Sequence, residues 1–284
     1  MRNFIGRGNF TWWVGVVEDI NDPSKLGRVR VRCFGYHTDD KGAIPTSELP
    51  WAIPVNPVTG ASTSGVGESP TGLVNGAWVI GFFIDGDRGQ EPAILGSILS
   101  APTNEANATL GFNDPDGEFP RYVDESDVNR LARGTQTKSY TPDSSISEPS
   151  DPYGAQYPYN HVMETRGGHV KEFDDTPNAE RIREYHKSGT FYQVHPDGTL
   201  STHIVKDRYT VVAEDDSIHV KGNVRILVDG NVDFDCSDLN INASTGTITI
   251  GNGDVIASGI SLVEHKHTDT KGTGAGITTA PNKS

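Results

Sequence analysis

The sequence predicts an all-β protein, and three observations carry this prediction. The 284 residues include 32 glycines and 17 prolines but only two methionines, a composition that suits many turns and few helices. Short segments alternate apolar and polar residues with a period of two, which is the pattern of half-buried strands. Toward the C-terminus this alternation is arranged in units of eight residues. These features exclude an ordinary helical bundle.

Charge, cysteine content and the lack of long apolar runs limit the partners and the compartment that we expect for this protein. With 24 basic and 38 acidic residues the chain has a net charge of −14, which argues against a nucleic-acid partner and against anionic membrane surfaces. Cys33 and Cys236 belong to no C-x-x-C pair and are predicted to be two buried thiols. The N-terminus lacks the apolar stretch of a signal peptide, and no apolar run reaches the ~18 residues of a membrane helix. We therefore expect a protein that folds in the cytoplasm of the cell that makes it.

Residues 1–100 are predicted to form a small closed β-barrel. Five strand-like segments occur in this range, at residues 12–18, 27–34, 51–55, 78–84 and 93–98. In the second of them Val29, Val31 and Cys33 alternate with three arginines, so one face is apolar and the other charged. The sequence Asp85-Gly86-Asp87 is typical of a hairpin turn. Five short strands without an intervening helix predict a barrel of the OB type.

Residues 101–158 are predicted to be an extended connector. They are rich in proline, asparagine, aspartate, glycine and serine, except for a stretch at 123–133 that predicts a short helix. Asp124 would be its N-cap and Gly134 its C-cap, and its narrow apolar stripe would comprise Val128, Leu131 and Ala132. A linker of this length is unusual in a compact domain unless it reaches across a partner.

Residues 159–262 contain the eight-residue units. From Gly198 onward Gly222-Asn223-Val224 recurs as Gly230-Asn231-Val232, and apolar residues alternate within the units. One unit supplies one strand and one turn and cannot bury a core alone, so burial must come from stacked neighbours. The pattern favours a prism in which several copies of the chain each supply one wall. An ordinary meander of hairpins remains the alternative.

Three further motifs give the sequence a family resemblance. These are residues 127–134, residues 168–176, and residues 180–190, and they are followed by the eight-residue units and a terminal His-x-His. With the barrel in front, this order of parts resembles the central spike proteins of contractile phage tails, which are related to the VgrG tips of type VI secretion. The resemblance implies a homotrimer at the centre of the virion's tail baseplate. Its OB domains would sit on a baseplate hub protein at the tail tube, and its intertwined triple-stranded β-helix would pierce the host outer membrane.

The sequence favours a structural protein over an enzyme. No Gly-x-Ser-x-Gly, Walker or zinc-protease motif is present, and the connector is too short for the lysozyme domain that some members of the resembled family carry. Two alternatives stay open. One is a cell-wall-hydrolysing tail enzyme that uses Glu118 and Asp127 as a carboxylate pair. The other is a VgrG-like secretion tip.

The candidate metal ligands are His265 and His267. On a strand, residues two apart share a face, so both imidazoles would point the same way. Three chains around an axis would contribute six nitrogens, a set that suits an octahedral iron better than a tetrahedral zinc. The alternative is an exposed His-Lys-His on a polar tail. We expect residues 263–284 to form a metal-binding apex with one iron per trimer and no catalytic residue.

Overall fold

A computed structural model describes residues 10–68, 71–138, 140, 153–242 and 244–266. The chain divides into two units, residues 1–219 and residues 220–284. A closed barrel and an antiparallel sheet lie in the first unit, and one short hairpin lies in the second. The described residues form no α-helix, and hence none that is long and apolar enough to cross a membrane.

The barrel consists of five strands, and all five agree with the sequence prediction. They are β1 (Trp12–Asp19), β2 (Val29–Cys33), β3 (Trp51–Pro54), β4 (Trp78–Phe83) and β5 (Pro92–Ser97). Their order around the barrel is β1-β2-β3-β5-β4, and β4 pairs with β1 to close it. The pair β3–β5 is parallel and the others are antiparallel. Short 3-10 turns span Thr46–Glu48 and Gly86–Arg88. The predicted OB-type barrel is confirmed.

Alternating side chains fill the barrel, as the period of two predicts. The buried cluster comprises Trp13, Val17, Val29, Val31, Cys33, Ala52, Val79, Phe83 and Ile94. At Gly81 the strands approach so closely that a Cβ would lie 2.0 Å from the carbonyl oxygen of Ala93 and 2.4 Å from the Trp13 ring. Any side chain at Gly81 would therefore collide with backbone and with the largest core residue.

The predicted helix at 123–133 is wrong. Asp124, the expected N-cap, has a left-handed φ of 62°, and only a single turn follows at 130–134. Within the segment the side-chain oxygen of Asn129 accepts the backbone N–H groups of Leu131 and Ala132. Such local side-chain bonds offer the backbone an alternative to helical hydrogen bonding. Gly134 ends the turn with a φ of 68°.

A five-stranded antiparallel sheet occupies residues 160–203. Its strands are β6 (Asn160–Glu164), β7 (Val170–Asp174), β8 (Arg181–Tyr185), β9 (Phe191–Val194) and β10 (Leu200–His203), each paired with the next. Three of the connecting turns place a glycine at positive φ, namely Gly168, Gly189 and Gly198, which explains why the chain reverses there. The start of the predicted β-helix segment 159–262 is therefore a meander of hairpins within one chain.

Beyond β10 the chain forms few hydrogen-bonded strands. The described residues between 204 and 255 contain none, and a hairpin of β11 (Ile256–Ala257) and β12 (Ile260–Ser261) follows. A β-helix built from several copies would take its strand partners from other chains, so the β-helix of the eight-residue units stays a prediction.

Candidate functional site

A buried ion pair joins the first two strands of the barrel. Glu18 at the end of β1 and Arg32 on β2 are both fully buried, and their carboxylate and guanidinium meet at 2.7 and 3.1 Å. Bidentate pairing of this kind fixes both side chains in one geometry. The sequence pattern had placed Arg32 on a solvent face, so its burial is a finding of the structure.

The same carboxylate also holds the connector and a barrel loop. Glu18 accepts the backbone N–H of Phe112 at 2.9 Å and the hydroxyl of Thr46 at 2.8 Å. Arg32 donates further to the carbonyl oxygens of Thr38 at 2.7 Å and Ile44 at 2.8 Å. We call Glu18, Arg32 and these four partners the clamp. It fastens the connector to the outside of the barrel through a fully satisfied buried charge pair.

Glu118 and Asp127, the candidate hydrolase pair, are each bound to an arginine. Glu118 accepts both Nε, at 3.1 Å, and Nη2 of Arg166 in the loop before β7. Asp127 accepts Nη2 of Arg121 and, at 2.9 Å, the backbone N–H of Ser100. A general acid must present its carboxyl group to a substrate, whereas these two tie the connector to the sheet and to the barrel.

The five-stranded sheet buries its polar face. Glu172, Asp174, Arg181, Arg183 and Gln193 are all at most 4% exposed. The charges are matched across strands, because Glu172 lies opposite Arg183 and Asp174 lies opposite Arg181. Arg181 and Asp174 form an ion pair at 3.4 Å, and Arg183 donates to the backbone carbonyl of Lys138. These contacts offset part of the cost of taking the charges out of water.

The connector covers this polar face. The hydroxyl of Tyr153 donates to Glu172 at 2.6 Å, and Asn160 donates its amide to the same carboxylate oxygen at 2.6 Å. Burial, followed by the hydrogen bond to Glu172, raises the pKa of Tyr153, so its hydroxyl stays a donor. The guanidinium of Arg181 also lies over the ring of Tyr153, and its Cζ is 4.5 Å from the ring centroid.

The opposite face of the sheet is exposed, and it carries five apolar side chains beside the ion pair Lys171–Glu184 at 3.0 Å. It presents the side chains of Met163, Phe173, Ile182, Tyr192 and Leu200, which are 43–63% exposed. A monomeric protein normally places its apolar face inward, and contiguous exposed apolar patches mark interaction sites. We call these five residues the sheet patch.

The eight-residue units expose their apolar alternation as well. Val211, Ile218, Ile226 and Phe234 are 71–93% exposed in the single chain. Cys236 is also exposed, so the prediction of two buried thiols holds only for Cys33, whose pKa burial raises to about 12. The side chain of Cys236 continues the alternation Val232, Phe234, Cys236 and shares its exposure.

Of the two predicted metal ligands the structure describes one. His265 directs Nδ1 toward the carbonyl oxygens of Ser261, at 3.1 Å, and Leu262, at 2.9 Å. An N–H on Nδ1 makes Nε2 the lone-pair nitrogen, the tautomer in which a backbone carbonyl orients a metal-binding histidine. His267 lies outside the described residues. Within the described part of the chain no three histidine, cysteine or acidic residues cluster, and the iron site stays a prediction.

Sequence reasoning missed the clamp. It also missed that the five-stranded sheet buries its polar face and exposes the face with the sheet patch. A weak signal for the clamp exists, because Glu18 directly ends an apolar run and Arg32 lies between Val31 and Cys33. A charged residue within an apolar run is rarely buried unless it has a partner.

Comparison with known proteins supports the fold. Residues 35–184, just over half of the chain, match the family described as the Gp5 N-terminal OB domain. The chain is 37% identical to Protein Gp5 of Vibrio phage KVP40, over 82% of this chain and 66% of that protein. It is 39% identical to the pre-baseplate central spike protein Gp5 of Enterobacteria phage T4, over 50% of this chain and 25% of that protein. The chain thus spans about two thirds of the first relative's length and about a quarter of the second's.

The family match begins just after β2, extends across the rest of the barrel and the connector, and ends within β8. The closed five-stranded barrel is the architecture that the description of this family names. The chain therefore belongs to the Gp5 OB-domain family, which includes the central spike protein of phage T4.

Proposed function

We propose that this protein is the structural central spike of a phage tail baseplate. Its barrel would dock on the baseplate hub and the tail tube, and its C-terminal segment would form a β-helix that pierces the host outer membrane. The name of the T4 relative supports the baseplate location. The fully satisfied clamp supports a load-bearing role, because it fixes the connector against the barrel at the point where force would pass between them.

The proposal rests mainly on the exposed apolar alternation and on the sheet patch. A single chain leaves Ile226 and Phe234 more than 70% exposed, together with five apolar side chains on one face of the sheet. Identical copies offer identical faces, and closed symmetry lets such faces meet around one axis. We therefore assign each of these two apolar surfaces to contacts with two further copies of the chain, giving a homotrimer.

Sedimentation equilibrium tests the trimer. The expected mass is about three times 30.6 kDa. Ile226→Asp should reduce the assembled fraction because it places a charge in the apolar interior. Arg225→Asp changes the neighbouring residue, which would face the other way on the proposed strand, and should leave the trimer intact. A wild-type monomer at micromolar concentration would contradict the proposal, as would equal effects of the two substitutions.

We also propose that His265 and His267 of three chains hold one iron at the tip. The hydrogen bonds from Nδ1 of His265 to backbone carbonyls fit a ligand that coordinates through Nε2. The ion would supply a coordination link between chains where apolar burial ends. Elemental analysis should find about one iron per three chains. The double variant His265→Ala with His267→Ala should lose the metal and keep the trimer, whereas Lys266→Ala should keep both.

The proposed role is mechanical, not hydrolytic. Each carboxylate contacts an arginine, Glu118 with Arg166 and Asp127 with Arg121, which supports a role in holding the connector in place over the role of a glycosidase acid. A peptidoglycan turbidity assay should show no clearing by the purified protein. Clearing that Glu118→Gln abolishes would overturn this part of the proposal.

Contact with the membrane should require force. Each chain has a net charge of −14, so anionic lipid repels the assembled spike. The protein should leave dye-loaded anionic vesicles intact in the absence of load. Spontaneous release of dye would contradict a force-driven mechanism.

A further inference from the structure

A cavity of about 480 Å³ lies between the outer surface of the barrel and the connector. Phe34 and Trp78 form its barrel wall, and Phe112 and Phe119 form its connector wall. The volume lies in the range of small-molecule sites, which combine apolar walls with a few polar groups. None of the roles proposed above uses this cavity.

The aromatic wall is preorganised. The rings of Phe34 and Phe112 stack in parallel, with centroids 4.1 Å apart and an interplanar angle of 7°. Trp78 lies 5.1 Å from Phe34, and the guanidinium of Arg121 covers the Trp78 ring at 5.1 Å. The clamp also holds the backbone N–H of Phe112, so the wall exists before any ligand arrives. Preorganisation of this kind lowers the cost of binding.

The rim of the cavity offers polar groups that the fold does not use. Thr103, Asn104 and Glu105 are exposed at its edge and make no hydrogen bond or ion pair with another described residue. Together they supply a hydroxyl, an amide that both donates and accepts, and a carboxylate that accepts. These are the groups needed to bind several hydroxyls at once.

The charges around the cavity select a neutral ligand. The carboxylate of Asp114 accepts the backbone N–H groups of Asp116 at 3.0 Å and Phe119 at 2.7 Å, and Arg121 is paired with Asp127. No unpaired cation among the described lining residues would hold an anion. Among the described lining residues, the one carboxylate left to bind a cation is that of Glu105. It lies at the exposed rim, where ion pairs contribute little.

We propose that this cavity binds one or two rings of a neutral glycan. The C–H face of a pyranose ring would pack against the aromatic wall, where the side chain of Phe34 is still 38% exposed. Its hydroxyls would bond to the rim at residues 103–105. A neutral glycan combines a flat apolar face with many hydroxyls, and the cavity provides complements for both. The inference is independent of the trimer and of the metal.

Calorimetric titration of the full-length protein tests this inference. The probes are two neutral tetrasaccharides, one of β-1,4-linked N-acetylglucosamine and one of glucose, which stand for a cell-wall and a surface-polysaccharide source. We expect one site per chain for at least one of them. Trp78 lies in the wall, so binding should also change tryptophan fluorescence.

Matched variants locate the site. Asn104→Ala removes rim hydrogen bonds from an exposed residue and should weaken binding about fivefold or more. Phe112→Ala removes part of the aromatic wall and should weaken binding further. The melting temperature of Asn104→Ala should equal that of the wild type, which shows that its weaker binding does not come from unfolding. Asn56→Ala, remote from the cavity, should bind as the wild type does. The proposal is overturned if neither glycan binds, if Asn104→Ala binds unchanged, or if a tetralysine peptide or a sulfated glycan binds more tightly than both neutral probes.

Discussion

Replacement of Glu18 by alanine should strongly destabilise the barrel. The substitution leaves the guanidinium of Arg32 in a site where both side chains are fully buried. It also removes the acceptor of the Phe112 amide and of the Thr46 hydroxyl. Breaking a buried pair by removing one partner costs about 3–5 kcal/mol. The two lost hydrogen bonds overlap with this figure, so we expect about 4 kcal/mol in total.

Urea unfolding followed by tryptophan fluorescence measures this loss. All four tryptophans, Trp12, Trp13, Trp51 and Trp78, lie in barrel strands, so the signal reports the barrel alone. With an m-value of about 2 kcal/mol/M the midpoint should fall by about 2 M.

The neighbouring Asp19→Ala is the matched control. Its ion pair with Arg30 spans 3.7 Å, and the Asp19 side chain is 29% exposed and also accepts the backbone N–H and the side-chain amide of Asn21. Loss of these solvent-accessible contacts should cost only about 1 kcal/mol. The reasoning would be refuted by a Glu18→Ala loss below about 1 kcal/mol, or by equal losses in the two variants.

Three other predictions concern single side chains. Burial lowers the pKa of His37, whose Nδ1 accepts the backbone N–H of Cys33 at 2.9 Å. The unfolded chain therefore binds a proton more readily, so stability should fall as the pH drops through about 6.5 and level off below the native pKa. Urea midpoints across this range check it, and His37→Ala should flatten the profile. In dissociated single chains Ellman's reagent should label Cys236 but not Cys33, whose pKa burial raises to about 12. Assembly into the proposed trimer should protect Cys236. Tyr153→Phe removes the hydroxyl that donates to buried Glu172. It should lower the free energy of unfolding by about 1–3 kcal/mol, measured by calorimetry.

The barrel could be predicted from sequence because each strand carries its own signal. Val29, Val31 and Cys33 alternate with arginines, and the structure buries all three. The clamp could not be predicted in the same way. Arg32 is buried because Glu18 and the connector cover it, and Phe112 is 94 residues away from Glu18 along the chain. Local periodicity contains no information about such a distant cover.

The sheet and the connector show two other limits of sequence patterns. In Val170–Asp174 both alternating faces contain apolar and charged residues, so periodicity alone does not say which face is buried. The cover provided by Tyr153 decides it. At 123–133 the apolar spacing indicated a helix, but the local hydrogen bonds of Asn129 competed with helical ones. For His265 the sequence indicated a ligand through its spacing, and the structure adds the orientation of its ring.

The parallel pairing of β3 with β5 determines when the barrel can form during synthesis. Ile53 pairs with Ala93, so the last strand enters between two that were made earlier. Until Ser97 has left the ribosome, the edges of β3 and β4 lack their shared neighbour and present unpaired backbone groups. We therefore expect nascent chains that end before β5 to aggregate more readily than the complete barrel. Pairings this distant in sequence also slow folding, so we expect the barrel to close only after β5 is complete.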